Sequence, residues 1–193
     1  MDSKLQIISG ELRARKLRVP HSARPTQNMA RAAVFNMLGE ILLEPYQKLA
    51  VWDAFAGSGA LGVEVLSRYN DSTAIFTDVS DDSLNAVRQN VRDIDWARVK
   101  IDASDAASRI WKYAPRVNLV FVDPPYEDAR VGIDFVAGLA DSVRAGTIVV
   151  QEIEKVVPYS PDETKWEILR DKTYGRARFL ILRRRGINNL HFQ

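Results

Sequence analysis

From residue 49 to residue 152 the chain alternates short apolar runs with segments of helical periodicity, and few folds accept that rhythm. LAVWDAF (49–55), TAIFTD (73–78), ARVKI (97–101), VNLVFVD (117–123) and GTIVVQE (146–152) read as strands. Helices are expected between them at 60–68, 81–93, 105–112 and 130–142, the second entered through Ser80-Asp81-Asp82, residues suited to capping. Strand and helix in turn build crossover units on a parallel sheet. The 117–123 run is apolar almost throughout, as a strand covered on both faces should be. The expected class is α/β, a doubly wound sheet, mostly parallel. The end departs from the rhythm: KWEILRDKTY and RARFLILRR alternate around Gly175 and predict an antiparallel C-terminal hairpin.

Ahead of the alternating region, LQIIS (5–9) and KLRV (16–19) flank a turn containing Gly10 and predict a small N-terminal β-hairpin. Ala30, Val34, Met37, Leu38 and Ile41 recur at helical spacing, so a helix is expected over 27–43, capped by Thr26 or Asn28 and ended by Pro45. The expected organisation is a basic extension at 1–25, one catalytic-size domain at 26–186 and a tail at 187–193.

Composition removes several classes of chemistry. The 193 residues include no cysteine and two histidines, His21 and His191, so disulfides, thiolate metal sites and a histidine-rich metal centre are excluded. No apolar run approaches the roughly 20 residues that span a bilayer, and the first residues lack the apolar core of a secretory signal. A cytoplasmic protein, without metal and monomeric, is expected. The net charge of +2 conceals an uneven distribution. Residues 1–31 carry seven Lys/Arg against Asp2 and Glu11, and residues 170–185 carry seven against Asp171. Basic ends around a more acidic middle suggest a polyanion held from the periphery, against the alternative of plain solvated charge.

Two motifs carry chemistry. Asp53-Ala-Phe55-Ala-Gly57-Ser-Gly59-Ala-Leu-Gly62 lies between a strand and a helix. Its glycines let the backbone turn tightly beside a ligand, and the helix beyond presents oriented N–H groups. The spacing also fits a dinucleotide fingerprint. Asp53 shifts the balance, because a carboxylate at the strand end suits the ammonium of an amino-acid-bearing cofactor and sits badly beside a pyrophosphate. Asp78, ending the next strand 21 residues after Gly57, is placed to accept hydrogen bonds from ribose hydroxyls. Asp105, after the third strand, reads equally as an adenine contact and as a helix cap.

The second motif, Asp123-Pro124-Pro125-Tyr126, follows the most apolar strand. Two prolines hold the backbone extended and leave the Asp123 carboxylate and the Pro124 carbonyl as pre-aimed acceptors. An exocyclic amine on a base is a weak nucleophile, its lone pair being delocalised into the ring. Acceptors that hold both of its N–H groups favour a tetrahedral nitrogen and free that pair. Tyr126 offers a flat face on which to stack a base flipped out of its helix.

Together these residues resemble the RsmD family of bacterial 16S rRNA guanine-N2 methyltransferases. The resemblance rests on residues 53–62 with Glu64 and Leu66-Ser67-Arg68, on Asp-Pro-Pro-Tyr (123–126), on Ile7-Ile8-Ser9-Gly10 with Arg13-x-Arg15-Lys16-Leu17, and on Arg24-Pro25-Thr26. It runs from about residue 5 to 185. It implies a class I (Rossmann-like) methyltransferase sheet, S-adenosylmethionine as cofactor (S-adenosylhomocysteine as product), and a guanine of small-subunit ribosomal RNA, naked or in the assembled subunit, as target. Asp53, Phe55, Gly57, Gly59, Asp78 and Asp105 would bind the cofactor. Asp123, Pro124 and Tyr126 would hold the base. Arg13, Arg15, Lys16, Arg18, Arg24 and Arg31 would contact RNA, largely through phosphates. The sequence departs from the family at Asn28-Met29 and Arg31-Ala32, where acids and a base are usual, and INNLHFQ (187–193) matches nothing in it. Other readings of the residues are a DNA adenine or protein glutamine N-methyltransferase, a non-catalytic RNA-binding protein with a retained cofactor fold, and an NAD-linked oxidoreductase, for which no catalytic His, Tyr-Lys or Cys set is evident.

Overall fold

The computed structural model describes residues 5–20, 28–42, 48–125 and 129–186. The expected tail at 187–193 lies outside them. One seven-stranded sheet organises the chain. Its strands are β1 (Ala50–Asp53), β2 (Thr73–Asp78), β3 (Val99–Ala103), β4 (Leu119–Val122), β5 (Ile148–Glu154), β6 (Trp166–Tyr174) and β7 (Ala177–Arg184), in the order β3-β2-β1-β4-β5-β7-β6. β1 to β5 pair in parallel, while β7 runs antiparallel to both β5 and β6. The doubly wound sheet and its antiparallel C-terminal hairpin are therefore as the sequence predicts.

Side chains of the central strands alternate between two apolar layers, the period-2 consequence of strand geometry. Val51, Phe76, Leu119, Phe121 and Val150 face a layer shared with the first three helices, α1 (Asn28–Ile41), α2 (Ala60–Arg68) and α3 (Asp81–Asn90). Trp52, Val120, Val122 and Val149 face the other layer, against α4 (Ile110–Tyr113) and α5 (Ala129–Leu139). Trp52 sits edge-on to both Tyr113 and Phe135, with ring centroids 5.5 and 5.2 Å away. Such pairs add about 0.5–1.5 kcal/mol each beyond the area they bury.

Two local expectations change. The N-terminal hairpin contracts to one antiparallel bridge, Gln6 to Lys16, around a tight turn. Leu5, Ile7 and Leu17 nevertheless enter the first apolar layer. The helix expected at 105–112 becomes a short α4 flanked by 3-10 turns at Ala107–Arg109 and Ala114–Arg116, the second containing Pro115. No helix among the described residues is long and apolar enough to cross a membrane.

The sheet order reverses between β1 and β4. In open α/β sheets the crevice at the carboxyl ends of the strands at such a point is where ligands bind. β1 ends on Asp53 and β4 leads into Asp123, and the two strands are hydrogen-bonded neighbours, with Asp53 opposite Phe121. Both sequence motifs thus meet at the switch point.

Candidate functional site

The glycine loop is braced by two carboxylates. Asp53 is 2% exposed, and its Oδ2 accepts the Gly62 N–H at 3.0 Å. Burial pushes its carboxyl up to about 7; the Gly62 N–H opposes the shift and the nearby Asp78 charge adds to it. Asp78 accepts the Gly57 N–H at 2.8 Å through Oδ2 and the Ser80 N–H at 2.8 Å through Oδ1. The helix cap is left to Ser80, whose hydroxyl accepts from the Ser83 N–H. Thr77 adds a third brace: its hydroxyl donates to the Ala54 carbonyl at 2.7 Å and accepts from the Trp52 indole at 3.0 Å.

The glycines have separate reasons. Gly59 caps α2 in the left-handed region at φ 74°. Gly62 lies so close to the sheet that a Cβ there would sit 2.4 Å from Phe76 Cε1. Gly57, at φ 51°, faces open space, with nothing within 4 Å of where a Cβ would stand. The loop therefore has a rigid underside and an open upper side. Phe55 is half-buried and stacks edge-on against Phe135 of α5, centroids 5.3 Å apart, which closes the loop's flank.

Asp105 stands just past β3 on the same rim, since the Ser104 N–H binds the Asp78 carbonyl at 3.1 Å. Its carboxylate accepts from the N–H groups of Ala107 and Ser108 at 3.3 and 3.2 Å, so its capping role is realised. Asp123 is half-buried and Pro124 buried. Gly132 of α5 makes room for Pro124: a Cβ there would lie 2.8 Å from Pro124 Cγ. Tyr126 and Arg24 lie outside the described residues.

The N-terminal turn is bolted to α2. Glu64 is fully buried and accepts the N–H groups of Ile8 and Ser9 at 2.8 and 3.0 Å. The Ser67 hydroxyl accepts the Leu12 N–H and donates to the Ser9 carbonyl. Gly10 presses so closely on this helix that a Cβ would fall 1.9 Å from the Ser67 carbonyl oxygen. Arg13, Lys16 and Arg18 are exposed on the far side, and Arg15 pairs with Asp93 at 2.9 Å.

Arg31 corrects the expectation of an RNA contact. Its side chain is 0% exposed, donates to the Gln6 carbonyl and lies 4.0 Å from Glu64. Burial lowers its pKa while Glu64 pulls the other way. Arg31 ties α1 to the N-terminal turn and to α2, and no phosphate reaches it in this arrangement. The C-terminal cations also change meaning. Arg170 pairs with Glu40, Arg176 with Glu154, Arg178 with Asp171 and Arg183 with Glu167. Much of that cluster is neutralised within the fold. Sequence reasoning gave no role to Glu64, Ser67, Asn90 or Gly132. The available signals were an acid inside the apolar inner face of α2 and the place of Glu64 and Ser67 among the residues that carry the family resemblance.

A family model described as "Conserved hypothetical protein 95" matches residues 5–183. A curated relative, "Ribosomal RNA small subunit methyltransferase D" of Escherichia coli, is 31% identical over 94% of this chain and 90% of its own length. The chain belongs to the RsmD methyltransferase family. The Haemophilus influenzae protein of the same name is 28% identical to this RsmD family member over 89% of the chain and 90% of its own length. Among solved structures, an Escherichia coli methyltransferase superposes with a TM-score of 0.76 at 30% identity, covering 93% of this chain and 97% of that one. A ribosomal protein L11 methylase from Lactobacillus delbrueckii reaches 0.67 at 16% identity, with 90% and 87% covered, and shares the fold. This chain's sheet, glycine loop and Asp-Pro-Pro segment are thus joined in one enzyme of that family.

Proposed function

We propose that this protein transfers a methyl group from S-adenosylmethionine to the exocyclic N2 amine of a guanine in small-subunit ribosomal RNA. The observation that carries the reading is the meeting of the Asp53 glycine loop and the Asp123-Pro124 segment on neighbouring strands at the switch point. The family relatives named for small-subunit rRNA support the choice of substrate.

The residues present fit the cofactor. Asp53 is a buried carboxylate that accepts the backbone N–H of Gly62, and an ammonium supplies a counter-charge there. The open side of Gly57 admits a ligand against the backbone. In this reading Asp53 with Gly57 and Gly59 holds the methionine part, Asp78 the ribose and Asp105 the adenine, with Phe55 closing the pocket's wall. The bound cofactor supplies an electrophilic methyl on a sulfonium.

The chain's own residues do the rest. Asp123 and the Pro124 carbonyl accept the two N–H groups of the target amine and hold its lone pair toward the methyl. Proline geometry and the close fit of Gly132 on Pro124 fix these acceptors before the base arrives, so most of the rate comes from positioning and preformed dipoles. Tyr126 stacks the base. Arg13, Arg15, Lys16 and Arg18, with Arg24, hold phosphates, and their cost of ordering is already met by the docking of the N-terminal turn on α2. The reaction takes place in the cytoplasm.

Labelled S-adenosylmethionine is offered to unmodified small subunits, naked rRNA and duplex DNA, and the products are digested to nucleosides. N2-methylguanosine from subunits or rRNA is the expected product. Methyladenine from DNA, or transfer to none of the three, refutes the proposal. Asp123→Ala is expected to abolish turnover and keep cofactor binding.

A further inference from the structure

Asn90, the last residue of α3, is 4% exposed and makes three hydrogen bonds through its amide. Its Oδ1 accepts the Arg18 N–H at 2.8 Å. Its Nδ2 donates to the Arg18 carbonyl and to the Ser58 carbonyl, each at 2.8 Å. Arg18 is one of the exposed cations of the N-terminal segment, and Ser58 stands between the two glycines that turn the cofactor loop. One side chain therefore grips both segments.

The chemistry admits little else at this position. Two carbonyls need two donors and one N–H needs an acceptor, which is the inventory of a carboxamide. A carboxylate would face two carbonyl oxygens without a proton to offer, and alanine would leave all three backbone groups without this partner.

We infer that Asn90 is a positioning residue that couples RNA contact to cofactor binding: RNA held at the Arg18 segment restrains the Ser58 carbonyl through Asn90, and with it the Gly57–Gly59 turn, in the form that receives the cofactor. The inference rests on the proposed roles of the two segments. Coupling is reciprocal, so the factor by which RNA tightens the cofactor equals the factor by which the cofactor tightens RNA. Asn90 touches neither ligand and acts through backbone carbonyls.

The test is equilibrium binding of S-adenosylhomocysteine to the intact protein with and without unmodified small-subunit rRNA, in wild type, Asn90→Ala and Asn90→Asp. In wild type, rRNA tightens the cofactor product by about 5-fold or more, the lower end of ordinary coupling. In both variants the ratio falls to within about twofold of unity while each ligand still binds alone. A purely structural role weakens each ligand separately and leaves the ratio unchanged, and that result overturns the inference. Independent binding of the two ligands in wild type overturns it too, with the proposed function intact. Absence of any rRNA binding by wild type sinks both.

Because the variants can fail to fold, amide hydrogen exchange of the unmodified protein gives a second reading. S-adenosylhomocysteine alone slows exchange in a peptide covering residues 16–20 and leaves the β6–β7 hairpin unchanged. Unchanged exchange at 16–20 overturns the inference.

Discussion

Replacing Asp53 by asparagine separates the cost of a buried carboxylate from its use. In the folded protein, without cofactor, burial raises this carboxyl to about 7. A raised value means that the fold prefers the protonated form. The stabilising contribution is complete below about pH 4, where the group is protonated in both folded and unfolded chains, and is lost as pH rises through about 7. The displacement from the ordinary carboxyl value is worth about 4 kcal/mol across that window, a large part of the 5–15 kcal/mol typical of a domain. Asparagine keeps an oxygen for the Gly62 N–H and has no proton to lose. Urea denaturation at pH 5 and pH 8 should show wild type losing more stability between the two than Asp53→Asn. Cofactor binding should follow the opposite course. If the ionised Asp53 holds the ammonium, affinity for S-adenosylhomocysteine falls about tenfold for each pH unit below 7, and falls again in the alkaline range as the ligand's own amine loses its proton. Asp53→Asn should bind at least about tenfold more weakly at pH 7.5, through loss of a charge-assisted contact, and should lack the acidic limb. Parallel stability curves for the two proteins would refute the burial argument. An unchanged acidic limb in the variant would refute the ammonium assignment.

Gly132→Ala pushes a methyl against Pro124, 2.8 Å away before relaxation, and should lower kcat by about 100-fold with cofactor affinity kept within about twofold, as steady-state kinetics and calorimetry would read. Arg13→Gln and Arg18→Gln should each reduce the slope of log affinity against log salt for rRNA by about 0.7–0.9 per phosphate lost. Arg31→Met should leave that slope unchanged and instead cost about 1–3 kcal/mol in urea denaturation, because the Gln6 carbonyl loses its donor while Glu64 keeps Arg68 at 2.7 Å. Gly10→Ala, strained at φ 86° and driven into the Ser67 carbonyl, should release the N-terminal turn, visible as new protease cleavage near residue 10 in a protein whose sheet is still folded.

The sheet was legible because its signals are local. Apolar runs bounded by glycines and acids give the strands, and residues 60–68 and 73–78 match the observed α2 and β2. The glycine loop was legible for the same reason, since strand end, glycines and helix start are contiguous. What was hidden is non-local. Arg31 reads as a solvent-facing charge until Glu64, 33 residues later, is brought beneath it. Arg176 and Arg183 read as a basic patch until β5 and β6 lay acids against them. The expected N-terminal hairpin keeps cross-strand backbone bonds from Ile7 to Arg15, Leu17 to Leu5 and Ala14 to Ile7, but extends no further as a ladder, because the N–H groups of Ile8, Ser9 and Leu12 go to Glu64 and Ser67 of α2. The role of Asn90 needed three segments folded together before it could be seen.

The bolting of the N-terminal turn to α2 also orders events during synthesis. Residues 8–12 leave the ribosome ahead of α2, and the side chains that satisfy their amides lie 55 or 56 positions later. With a chain growing at about 5–20 residues per second, that gap leaves the basic segment unanchored for seconds. It gains a fixed shape only when the helix that opens on the cofactor loop has itself emerged and folded. On the proposed roles of the two segments, a nascent chain can present its cations to ribosomal RNA early, but it cannot hold them in a fixed spacing until the methyl-donor site is being built.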